Sequence, residues 1–114
     1  MSTTEEMIQA KGLTAPRVTP ADVEAAIDSE HYFTASQGVI GSGQEMKFGS
    51  PLLLLTFCVL VLKNGFTVTG ESACVSPENF DAEIGRKVAR ENAINKVWPL
   101  LGYALRDRLT KGTE

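Results

Sequence analysis

Residues 62–103 read LKNGFTVTGESACVSPENFDAEIGRKVARENAINKVWPLLGY, and the punctuation of that stretch decides the fold. Asn64-Gly65 separates two β-rich runs, 52–63 and 66–75, and Asn-Gly is the preferred sequence of a two-residue type I′ hairpin turn. Such a turn pairs Lys63 with Phe66. Period-two alternation then places Leu55, Phe57, Val59, Val61, Phe66, Val68 and Cys74 on one face, the expected core. The opposite face mixes Thr56, Cys58, Leu60 and Leu62 with Thr67, Thr69, Glu71 and Ala73. It is too apolar for water and too polar for a second core, so another subunit or the N-terminal segment is expected to cover it. Cys58 and Cys74 fall on opposite faces in this register, which argues against a disulfide and leaves both as reduced packing residues.

Downstream, Ser76-Pro77 marks a helix start, with Glu78, Asp81 and Glu83 placed at the positive end of the dipole. The helix is expected to run to Trp98. Pro99 then kinks the chain or starts a second helical segment, which extends to Thr110 and can end at Gly112. At about 100° per residue, Phe80, Ile84, Val88 and Trp98 share a stripe expected to pack on the hairpin. Glu91 and Asn95 lie inside that stripe. They require an internal network, a contact with another helix, or a pocket wall that reads a polar ligand. Gly85, Ala89 and Ala93 form a small-residue row suited to close packing on a sheet or on another helix.

Upstream, residues 1–15 are polar and aperiodic and read as a flexible tail ahead of a single domain spanning 16–112. Thr19, Pro20 and Asp22 have the spacing of a capping box, and a short amphipathic helix runs from Pro20 to about Ser29. His31 to Ala35 can form a strand. Ser36 to Ser50 holds four glycines and no sustained period, and reads as a long loop, functional or disordered. The sum is an α+β fold: a small antiparallel sheet built on the hairpin of residues 52–75, a short N-terminal helix, and two C-terminal helical segments separated near Pro99.

The chain has 114 residues, of which 43% are hydrophobic, so its core is small and self-association is expected. Eleven Lys and Arg oppose 14 Asp and Glu, a net charge of −3, which disfavours a sequence-independent nucleic-acid binder. The basic residues concentrate late, with seven bases against six acids over residues 76–114. The N-terminus lacks the basic and apolar regions of a secretory signal, and the apolar run Pro51 to Leu62 is too short to span a bilayer. A cytoplasmic location in a bacterial host cell is expected.

Catalytic signatures are missing: no phosphate loop with its lysine, no Cys/His pairs at metal spacing, no serine elbow. His31, the single histidine, reads as a packed or surface residue. Neither an enzyme nor a metal or cofactor is expected. Arg86 and Arg90 lie one turn apart and can chelate a phosphate together, or pair with Asp81 and Glu83 as solvated charges.

The string from LTFCVLVLKNGFTVTGESA through NFDAEIGRK to WPLLGY, with PRVTP upstream, resembles a family of small phage and prophage proteins that includes the Thoeris anti-defence 1 proteins. The resemblance covers most of residues 16–109. It implies a small antiparallel sheet with C-terminal helices, assembled as a dimer or as a hexamer (a trimer of dimers). It also implies a sponge that holds glycocyclic ADP-ribose isomers made by Thoeris-type immune systems without cleaving them, with cyclic di- or trinucleotides as further ligands. Phosphates need cations, hydroxyls and base edges need amides, and an adenine needs an aromatic platform. Arg17, Arg86, Arg90 and Arg106 are the candidate cations, Asn92 and Asn95 the amides, and Phe80, Trp98 and Tyr103 the rings. The competing expectations are a phage structural or interaction protein that binds a host protein or nucleic acid, and a nucleotide-degrading enzyme.

Overall fold

A computed structural model describes residues 3–112. The central strand β2 (Leu55–Leu62) pairs antiparallel with β1 (Ile27–Thr34) on one side and β3 (Thr67–Ala73) on the other. A long helix, α4 (Ala82–Lys111), lies across the sheet. The expected α+β class and its antiparallel sheet therefore hold.

The turn differs from the expected one by a single residue, and the difference inverts the core. Leu62, not Lys63, faces Phe66: the Leu62 amide donates to the Phe66 carbonyl at 2.8 Å, and the Gly65 amide donates to the Leu62 carbonyl at 2.8 Å. The loop is therefore the three residues Lys63, Asn64 and Gly65. Asn64 Oδ1 accepts from the Phe66 amide at 2.9 Å, and Gly65 takes φ +88°, the left-handed position that closes a three-residue hairpin. A slip of one residue moves a strand's side chains to the other face. Val68 consequently pairs with Leu60 rather than Val61.

Cys58, Leu60, Leu62 and Val68 form the buried face beneath α4. The expected core row of β2, Leu55, Phe57, Val59 and Val61, is only half-buried on the opposite face. Cys74 stands opposite Leu54, on the same side as Cys58 but four residues along the strand, about 13 Å away. Both cysteines are free.

The helix also reads inverted, for a separate reason. Gly85, Ala89, Ala93 and Val97 are its buried residues, whereas Ile84, Val88 and Trp98, expected against the hairpin, are exposed at 61%, 36% and 36%. Close approach decides the matter. A Cβ added at Gly70 in β3 would collide with the Ala89 carbonyl and the Ala93 amide and lie 2.9 Å from Ala93 Cα. The backbones touch there, and only small side chains on both elements allow it.

The helix also starts later than its sequence signals suggest. Pro77–Asn79 is a single 3-10 turn, and Asp81 caps α4, its Oδ1 accepting from the Ile84 amide at 3.0 Å. The two helical segments expected around Pro99 are one continuous helix with the proline inside it, ending at Gly112 as expected. Pro99 and Asn95 both face solvent, so water can serve the Asn95 carbonyl that the proline leaves without a donor.

The capping box predicted at Thr19 and Asp22 is present and starts α2 (Pro20–Ala26). This helix stops short of Ser29 because Ile27 already pairs with Leu62 in the sheet, and β1 accordingly begins at Ile27 rather than His31. Within the expected loop, Thr34 and Gln37 form a second capping box that starts α3 (Ala35–Gly41). The expected tail carries α1 (Thr3–Ala10); its residues 1 and 2 lie outside the described residues. Thirty residues of α4 span about 45 Å, which stretches the molecule to 59 × 30 × 17 Å. Among the described residues no helix is long and apolar enough to cross a membrane.

Candidate functional site

At the end of the sheet where β1 runs into α3, the chain leaves a cleft of about 240 Å³ against the first turns of α4. Thr34 and Gln37 form one wall, Phe80 and Arg86 the other, and Thr56 the floor. The capping box builds the first wall. Gln37 Oε1 accepts from the Thr34 amide at 2.9 Å, which aims the remainder of its amide, a two-proton donor, outward. Thr34 Oγ1 and Ser36 Oγ share a hydrogen bond of 2.7 Å. Thr56 is 3% exposed, and its Oγ1 would lie 3.0 Å from a Cβ added at Gly85. The glycine in α4 thus lets the helix close over the floor. Arg86 is exposed and has no ion-pair or hydrogen-bond partner among the described residues. The cleft therefore presents an uncommitted guanidinium, an amide donor, two hydroxyls and an aromatic ring.

Arg90, one turn along, is spent differently. Its Nη1 and Nη2 donate to Glu24 at 3.2 and 2.8 Å, and its Nε donates to Glu30 Oε2 at 3.0 Å. This fork ties α4 to α2 and β1. The hydrogen bonds from Arg90 hold the Glu24 carboxyl below its ordinary 4.5, and the two carboxylates raise the guanidinium further above its already high value. Beside it, burial pushes the Tyr32 phenol well up, and its hydrogen bond to Glu30 at 2.9 Å adds to the effect. Burial likewise raises the Cys58 thiol. The partners expected from sequence, Asp81 and Glu83, pair with neither arginine.

The remaining sequence candidates are dispersed. Arg17 grips Glu5 with both terminal nitrogens at 2.6 and 2.8 Å, fastening α1 to the segment before α2. That contact holds the Glu5 carboxyl low and the Arg17 guanidinium high. Asn92 Nδ2 donates to the Glu71 carbonyl at 2.8 Å, stitching α4 to β3. Asn95 and Trp98 are exposed on the outer side of α4. Tyr103 and Arg106 line a shallow notch of about 140 Å³ with Asp107 and Thr110. Twenty residues of helix put that notch about 30 Å from Arg86. Within one chain, then, only Phe80 and Arg86 of the nine candidates share the cleft. Gln37, Thr34 and Thr56 were missed by sequence reading, although T-x-x-Q at residues 34–37 is the signal that would have located the first two. No group of three metal-ligating side chains occurs among the described residues.

The architecture is that of a small α+β protein with a three-stranded sheet, one sheet-spanning helix and a polar, cationic cleft at the helix start. The model of the phage protein (N4 Gp49/phage Sf6 gene 66) family matches residues 18–109, and the chain belongs to that family. No curated protein and no solved structure matched it.

Proposed function

We propose that this phage-family protein is a counter-defence sponge that binds a cyclic nucleotide immune signal, a glycocyclic ADP-ribose isomer, and holds it without cleaving it. Sequestration keeps the signal from its effector and so blocks Thoeris-type immunity. Cyclic di- and trinucleotides are further ligands in this reading, and the working form is a dimer or a hexamer in the bacterial cytoplasm.

The observation that carries the proposal is the Arg86 guanidinium, unpaired with any carboxylate among the described residues, beside the Phe80 ring and the Gln37 amide. These are the groups a nucleotide needs: a fork for phosphate oxygens, a ring for the base and a donor for a hydroxyl or base edge. The family membership and the motifs at residues 64–103 support the same reading. At about 240 Å³ the cleft is smaller than the roughly 300 to 1,000 Å³ of enclosed small-molecule pockets. It would receive one phosphate and its neighbouring base, with the rest of the ligand outside it.

Thermal unfolding of the purified protein with a panel of cyclic ADP-ribose isomers and cyclic oligonucleotides tests the proposal. A specific ligand at about 100 times its Kd adds about 2.7 kcal/mol to folded-state stability, and the bound isomer is expected to return intact after heat denaturation. A cleaved product would assign the protein to nucleotide degradation. No stabilisation by any saturating ligand would leave a structural or host-interaction role.

A further inference from the structure

A second cavity, of about 160 Å³, lies at the start of α4 on the β3 side of the cleft that holds Arg86. Thr56 and Phe80 line both, so one buried threonine and one ring divide the two spaces. Three polar groups meet in the second cavity without a complete use in the fold. Thr56 is 3% exposed, yet its hydroxyl finds no hydrogen-bond partner among the described residues and is open to the cavity. Valine would fill the same strand position, so packing does not call for a hydroxyl there. Gly85 spares that hydroxyl a methyl that would press on it at 3.0 Å. Asp81 caps α4 through Oδ1 alone, and its second oxygen has no partner among the described residues. The Asn79 side-chain amide, at the rim, has none either.

We propose that this second cavity is a sugar subsite, which takes the vicinal hydroxyls of a ribose. The inference rests on the reading of the neighbouring cleft as the place of the ligand's phosphate, and charge fixes the orientation. The free oxygen of Asp81 is acceptor-only: it repels a phosphate, and a sugar hydroxyl donates to it. The Arg86 guanidinium has the opposite preference. Thr56 stands at the divide as both donor and acceptor and takes the second hydroxyl of the pair, while the Asn79 amide supplies a further donor at the rim. A site built to hydrogen-bond a hydroxyl rejects the analogue that lacks it, because its own polar groups are then left unpaired. Size agrees. Neither cavity alone has the roughly 300 to 1,000 Å³ of a small-molecule site, and side by side the two do.

The test uses the full chain and two probes, AMP and 2′-deoxy-AMP, which share a phosphate and a base and differ in one sugar hydroxyl. Amide shifts in nuclear magnetic resonance are followed to about 10 mM of each probe, a range that captures millimolar affinity. The wild type should bind AMP roughly fivefold or more tighter than 2′-deoxy-AMP. Asp81→Ser keeps a capping oxygen for α4 and removes the free one, and Thr56→Val keeps the shape of the side chain and removes the hydroxyl. Both variants should retain the wild-type amide spectrum without ligand and bind the two probes within about twofold of each other. Arg86→Ala should weaken both probes alike and leave the preference for AMP intact. Equal binding of the probes by the wild type, binding of neither, or a preference that survives both Asp81→Ser and Thr56→Val would overturn the proposal. If Arg86→Ala weakens neither probe while the preference for AMP persists and is lost in the other two variants, the sugar subsite stands and the phosphate reading of the cleft falls.

Discussion

Helix α4 shows two faces built from opposite side-chain choices. Toward the sheet it presents Gly85, Ala89, Ala93 and Val97, all buried; toward solvent it presents Ile84, Val88 and Trp98, each at least a third exposed. The smaller residues make the tighter contact. Burial follows from how closely two backbones can approach, and side-chain size alone points to the wrong face. Here the glycine at residue 70 brings β3 against the helix backbone, and the larger residues are left for other work.

The sharpest way to break this comparison is Gly70→Ala. The added methyl meets helix backbone, which cannot move aside as a flexible side chain would, so the helix must lift from the sheet. Urea denaturation should show a loss of about 3 kcal/mol or more, and a loss under 1 kcal/mol would mean that the contact is loose. The adjacent residues Val97 and Trp98 give the next test. Val97→Ala, under the helix, should cost about 2 kcal/mol, whereas Trp98→Ala should change subunit stability by less than about 1 kcal/mol despite removing far more atoms.

Arg86 and Arg90 extend the contrast to charge. Arg90→Ala should lower stability by about 1 kcal/mol, because its carboxylate partners are partly exposed and screened. Arg86→Ala should leave the melting curve unchanged and weaken nucleotide binding by about 1.5 to 3 kcal/mol, the usual worth of a hydrogen bond to a charged group. Equal effects of the two substitutions on binding, read by calorimetry, would remove the distinction. The smallest effect concerns pH. The Glu24 carboxyl titrates below its ordinary 4.5 in the folded chain, so its stabilising contribution is complete above 4.5 and disappears as pH falls through the lower native value. In Arg90→Ala that part of the acid dependence of unfolding should flatten.

Much of the architecture was legible in residues 19–22 and 55–75. The cap at Thr19, the hairpin and a helix as far as Trp98 follow from local signals, which are strong because a few adjacent residues decide them; the continuation of that helix through Pro99 does not. The faces were not legible, and one residue explains why. Asn-Gly closes loops of two or three residues, and here the choice is made by Asn64 accepting the Phe66 amide, a detail that sequence periodicity does not register. From that slip followed the wrong core row in β2 and the opposite-face placement of Cys74. The stripe on α4 misled for a separate reason, since apolar periodicity identifies a face without naming its partner. The candidate site was legible only in part. Phe80 and Arg86 were chosen for their chemistry, but their neighbours Thr34 and Gln37 lie in a stretch whose glycines concealed a helix start. Arg17, Arg90 and Asn92 have the same chemistry and are engaged within the chain by distant residues that no local window contains.

Pro99 divides α4 mechanically. On its N-terminal side the helix is bolted to the sheet by backbone contact at Gly70 and by the Arg90 fork. On the other side it is held by lighter contacts such as that of Leu101 with the core. The proline interrupts the ladder of amide protons at this border, so the distal turns can bend as a lever without unfolding the proximal ones. Hydrogen exchange should divide the helix there, with amides 101–110 exchanging well before amides 89–98.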